Sequence, residues 1–88
     1  MKIELNVEAK EQRINVYYLW ALDKIAENAE KGIDLTDLTF PNDIFSGVRS
    51  RIDEHMKAFD IRFLWMSIGN MNSVAVGEGR LMRFKLLS

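Results

Sequence analysis

The 88-residue chain has no cysteine, a single proline (Pro41) and a single histidine (His55). Without cysteine there is no disulfide, no thiolate zinc site and no cysteine nucleophile, so a chain this short must hold together by packing or by self-association. Such usage suits a reducing compartment, and the expected location is cytoplasmic. Long apolar runs are also missing. Met1-Lys2-Ile3-Glu4-Leu5-Asn6-Val7 does not make the apolar core of a signal peptide, and no uncharged stretch approaches the roughly 18 residues of a membrane span. Neither secretion nor membrane insertion is expected.

The residues that carry most catalysis are equally sparse. His55 has Ala58 and Phe59 at the i+3 and i+4 positions and Arg51 one turn before it, so neither a metal ligand nor a base–nucleophile pair stands beside it. Gly69 and the Gly77-x-Gly79 pair match neither a phosphate-binding loop nor a dinucleotide fingerprint, and no helix follows them to present its N-terminus to an anion. They read as loop glycines. The expectation is a non-enzymatic chain with no catalytic residue, no metal site, no cofactor and no small-molecule substrate.

What is present describes one compact domain spanning residues 1–88. Apolar residues make up 48% and charged residues 28%, a globular composition far from that of disordered chains. The net charge of −1 hides a polarity. Residues 1–43 carry five basic and nine acidic side chains, a balance of −4; residues 44–88 carry seven basic and four acidic, a balance of +3. The second half is therefore the part suited to an anionic partner, and the acidic first half to a basic one.

Ile3, Leu5 and Val7 alternate with polar residues, which predicts a short N-terminal strand. From Glu8 the period lengthens. Ile14, Tyr18, Ala21, Leu22, Ile25 and Ala29 recur at three- and four-residue steps before Gly32, predicting a helix over 8–31 with a glycine cap. Val16, Tyr17, Leu19 and Trp20 add apolar surface outside that stripe, so this helix packs on more than one side or offers an aromatic face to a partner. Residues 33–40 suit either an extended piece or one helical turn. Pro41-Asn42-Asp43 then signals a helix start, and Ile44, Phe45, Val48, Ile52, Met56 and Phe59 form one stripe of a second helix over 43–59. Ile61–Ile68 reads as a strand buried on much of both faces, Gly69–Ser73 as a turn, and Arg80–Leu87 as a second strand. The fold class expected is α+β: a long first helix, a second amphipathic helix and a C-terminal β-hairpin, with the N-terminal strand as the candidate third strand of the sheet.

From residue 33 to 87 the succession IDLTDLTF, PND, IFSGVRSRIDEHMKAF, IRFLWMSI and RLMRFKLL, after a long first helix, resembles the winged helix-turn-helix superfamily. Val48 to Ile61 is similar to a recognition helix running into the first wing strand. The resemblance implies DNA binding by helix 43–59 and the 69–80 loop. Groove-facing candidates would be Asn42, Ser46, Arg49, Ser50 and Asp53, with wing contacts from Asn70, Asn72 and Arg80 and backbone charge from Arg83 and Lys85. The sequence departs from the family in a short Gly32–Pro41 segment, a wing without a Lys/Arg cluster, and a pI near 5.8. The other expectation is a small regulatory module that binds a protein or itself, in bulk features resembling the inhibitors encoded by phage and mobile elements. Tyr17, Trp20 and Trp65 are its candidate interface residues, since aromatic anchors dominate binding energy.

Overall fold

The computed structural model describes the backbone of residues 2–73 and 77–87 and the side chains of residues 8–70 and 78–87. The chain runs α1 (Lys2–Glu30), β1 (Leu35–Pro41), α2 (Phe45–Ala58), β2 (Arg62–Ser73) and β3 (Gly77–Leu87). The three strands form an antiparallel sheet in the order β1-β3-β2, so the last strand lies in the middle. This is the α+β class expected, with two of its boundaries corrected.

Lys2–Val7 is helical and belongs to α1. Three alternating apolar residues are a weak strand signal, whereas lengthening an existing helix gains one hydrogen bond for each residue added. The third strand is instead Leu35–Pro41, pairing Leu35 with Lys85 through Pro41 with Gly79. That settles the open choice for residues 33–40 as an extended segment, consistent with the strand preference of Thr36, Thr39 and Phe40. Gly69–Ser73 is likewise not a turn. β2 continues to Ser73 opposite Gly77, with an irregularity between Ser67 and Gly69 that absorbs one extra residue.

Strand alternation sorts the sheet into two faces. Thr36, Leu38 and Phe40 of β1, Met82 and Phe84 of β3, and Phe63 and Trp65 of β2 point toward the helices. Ile14, Ala21 and Ile25 of α1 and Phe45, Val48, Ile52 and Met56 of α2 meet them there. Phe84 lies at the centre, stacked on Phe63 at 5.4 Å and edge-on to Trp65 at 5.0 Å between ring centroids. Each fully buried large side chain stabilises the fold by about 1.5–3 kcal/mol. The opposite face carries Leu35, Asp37, Leu64, Arg83 and Lys85, and none of the described elements packs over it. Leu64 is thus exposed, and the expectation of a strand buried on both faces is corrected: β2 is an edge strand with one open face.

The helices meet closely at Gly47. A Cβ built there would stand 2.6 Å from Cδ1 of Ile14, so only a residue without a side chain fits unless Ile14 moves. Both helices then end in the same way. Gly32, at φ +77°, donates its N–H to Ala29 O at 3.0 Å while Ile33 N–H reaches Asn28 O at 2.8 Å. Asp60, at φ +56°, donates to Lys57 O at 3.1 Å and Ile61 N–H reaches Met56 O at 2.8 Å. Each is a left-handed cap that satisfies terminal carbonyls and turns the chain into a strand. The polar residues before α2 do not cap it. Ile44 is its N-cap with no side-chain hydrogen bond, because the Asp43 carboxylate is bound to Arg13 instead.

Candidate interaction surfaces

The residues expected at a DNA interface divide between two sides of the sheet. Ser46, Arg49 and Ser50 are exposed on the outer face of α2, and Asn42 just before it is exposed as well. Asn70 and Arg80, paired across β2 and β3, lie on the same side, with the Arg80 guanidinium 4.8 Å from the Phe45 ring centroid. Arg83 and Lys85 alternate with the buried Met82 and Phe84, so they occupy the open sheet face on the far side of the molecule. The side chain of Asn72 falls outside the described residues.

Several of these groups are engaged within the chain. Asp53 accepts the Trp65 indole N–H at 2.8 Å and stands 3.8 Å from Arg49 Nε, and the Arg49 guanidinium lies 5.9 Å from the Trp65 ring centroid. Arg83 grips Asp37 with two hydrogen bonds, of 2.7 and 3.1 Å. Arg51 holds Glu11, and Arg13 holds Asp43 at 2.6 Å, tying α1 to the start of α2. The hydrogen bonds from Arg13 and from Arg83 hold the Asp43 and Asp37 carboxyls below the ordinary carboxylate value. Lys57, Arg62 and Lys85 are the cations of the second half with neither an ion pair nor a ring contact among the described residues.

Of the aromatic candidates, Tyr17 and Trp65 are half-buried. Tyr17 stands edge-on to Trp20 at 6.1 Å, and Trp20 leans toward Phe40 at 6.3 Å while remaining partly open to solvent. These rings serve the core first, and only Trp20 presents a substantial outer edge.

A more apolar surface lies at the other end of the helices. Leu22, Ile25, Ala26 and Ala29 of α1, Met56 of α2, Ile61 and Leu86 line a groove of about 360 Å³, with Asp23 and His55 at its polar positions. His55 Nδ1 is 3.1 Å from the Tyr18 hydroxyl, and the imidazole leans on Phe59 at 4.8 Å. Phe59 itself is 67% exposed. It was expected on the inward stripe of α2, but the helix ends at Ala58 and the cap turns the ring outward beside the groove. Ile33 and Ile61, each following a left-handed cap, are exposed too. Four separate stretches of chain build this groove, so no local pattern marks it. The one legible signal was the run of apolar residues, Phe59 and Ile61, flanking a cap.

No helix of the described residues is long and apolar enough to cross a membrane, and no cluster of three metal-binding side chains occurs among them. Comparison of the chain with protein-family models, with curated proteins and with solved structures finds no match.

Proposed function

We propose that the chain is a non-enzymatic interaction module whose partner is a protein that inserts an apolar side chain into the groove between the ends of α1 and α2. The observation that carries this reading is the groove itself: apolar walls, a small number of polar groups and an exposed phenylalanine at its side. Apolar surface of this kind marks recognition sites, because burying it on a partner recovers the transfer free energy that water denies it. His55 and Asp23 are placed to orient a polar backbone or side-chain group next to the anchor.

A second reading, DNA binding, is favoured by the gathering of Asn42, Ser46, Arg49, Asn70 and Arg80 on one side. Against it, Arg49 already faces Asp53, and phosphate attraction falls with every cation so engaged.

Panning a random-peptide display library on the purified chain separates the two. The groove reading expects peptides with a large apolar anchor whose binding falls at least tenfold, about 1.4 kcal/mol, on Ala29→Arg, which sets a charged side chain at the groove from an exposed helical position. No enrichment, or binding indifferent to Ala29→Arg, overturns it. Duplex DNA binding that is steep in salt and falls on Arg49→Ala and Arg80→Ala establishes the second reading in its place.

A further inference from the structure

We propose that the open face of the sheet is covered by an amphipathic helix of a partner protein, one whose apolar stripe is bordered by carboxylates four residues apart. This face lies on the far side of the sheet from the groove and from both helices. The register sets its side chains in rows. Lys85 stands between Leu35 and Leu64, Arg83 between Asp37 and Met66, and Leu81 beside Thr39, while Leu87 pairs with Arg62 at the end beyond Lys85. Leu35 and Leu64 are 38% and 39% exposed, and Met66, Leu81 and Leu87 are only half-buried. Apolar side chains thus meet water on three adjacent strands, as one patch rather than as scattered residues.

The charges select the occupant. Arg62, Arg83 and Lys85 share the face with a single carboxylate, Asp37, and Arg83 already holds it with two hydrogen bonds. Lys85 in the middle of the patch and Arg62 at its end have neither an ion pair nor a ring contact among the described residues. The same face of a second copy would add like charge to like and bring no free carboxylate, which disfavours an isologous dimer. An acidic partner supplies what both cations lack.

The shape selects a helix. The outer strands stand about 10 Å apart, and the patch runs about 20 Å along β3 from Leu81 to Leu87. One helix, about 10–12 Å across, covers that width, and about 14 residues of it cover that length. A helix also arrives with its backbone hydrogen bonds made, whereas an extended chain laid over a sheet face leaves its own unpaired. The rows of Lys85 and Arg62 are two residues apart, about 7 Å along the strands, close to the roughly 6 Å between helical positions i and i+4. Carboxylates at that spacing meet both cations at once.

Panning a display library of helix-forming peptides, each about 16 residues long, on the full chain tests the proposal. The expected result is enrichment of peptides with an apolar stripe and Asp or Glu four residues apart. Their binding should fall at least tenfold on Leu64→Glu and on Lys85→Glu, and be equally strong on an Ala29→Arg chain, whose groove is blocked. Circular dichroism of each variant separates loss of binding from loss of fold. Exchanging the peptide's paired carboxylates for lysine should abolish binding to the parent chain and restore it on the Arg62→Glu, Lys85→Glu double variant. No enrichment, peptides without paired carboxylates, or binding indifferent to both Leu64→Glu and Lys85→Glu overturns the proposal. A dimer of the chain alone that Leu64→Glu disrupts, seen by sedimentation equilibrium, overturns it in favour of a second copy. Binding to phosphatidylserine–phosphatidylcholine vesicles that the same two substitutions abolish overturns it in favour of a membrane surface.

Discussion

On α2, Phe45, Val48, Ile52 and Met56 are buried, while Ser46, Arg49, Ser50 and Lys57 are turned to solvent. On α1, Ile14, Ala21 and Ile25 are buried, but the outward positions include Val16 and Leu19 beside Gln12 and Asp23. Both helices lie on the same side of one sheet and contribute to one core. The polar exterior of α2 is what a monomer needs, whereas two aliphatic residues at the centre of α1's outer face add nothing to folding. Inward burial and outward composition are thus separate properties of a helix, and only the first is required by the fold.

The largest effect that tests this contrast comes from truncating one residue on each kind of face. Ile52→Ala should cost about 2–5 kcal/mol in a urea denaturation at pH 7, since Ile52 is fully buried and its removal leaves a cavity. Leu19→Ala, measured at a concentration where the chain is monomeric, should change stability by less than about 0.5 kcal/mol. A comparable cost for the two would break the contrast and place Leu19 in the core.

The next effect lies where the helices touch. Gly47→Leu forces a side chain into the space held by Ile14, so a loss of about 1–3 kcal/mol is expected from overpacking, read in the same denaturation experiment. Were α1 loosely docked, it would swing aside and the cost would fall toward zero.

The smallest effect concerns the ion pair joining the helices. Asp43 has its carboxyl lowered by the hydrogen bonds from Arg13, so the folded state binds its proton less readily than the unfolded state. The stabilisation is complete above the ordinary carboxylate value of about 4 and is lost as pH falls through the lowered one. Both partners are about half exposed, which keeps the contribution below about 1 kcal/mol. Asp43→Asn should therefore slightly lower stability at pH 7 and flatten its decline as pH falls below the ordinary carboxylate value. Denaturation midpoints of the two chains, compared at neutral pH and in acid, provide the check.

Much of this architecture was legible because its signals are local. The stripe of α2 from Ile44 to Met56, the glycine ending α1 and the surplus apolar residues Val16, Leu19 and Trp20 all stand in the sequence within a turn or two of one another. β1 was ambiguous because its inward residues include Thr36, whose hydroxyl is satisfied by Asn28 of α1, while an apolar Leu35 faces outward. That partner is eight residues away and invisible to a period-2 reading. The N-terminal alternation misled for the opposite reason: a pattern of three residues carries less weight than the helix it continues. The groove could not be read at all, since its walls come from residues 22–29, 55–56, 61 and 86. Nor could the splitting of the basic residues onto two sides be seen before the register of β3 was known.

The strand order has a further consequence for synthesis. β1 and β2 are hydrogen-bonded only to β3, and β3 is the last of the five elements in chain order. A ribosome adding about 5–20 residues per second takes a few seconds to travel from Pro41 to Leu87, and throughout that time β1 has no strand to pair with. The sheet is thus closed by a single late insertion between two waiting edges, and the nascent chain is most exposed to aggregation or to a chaperone just before β3 emerges.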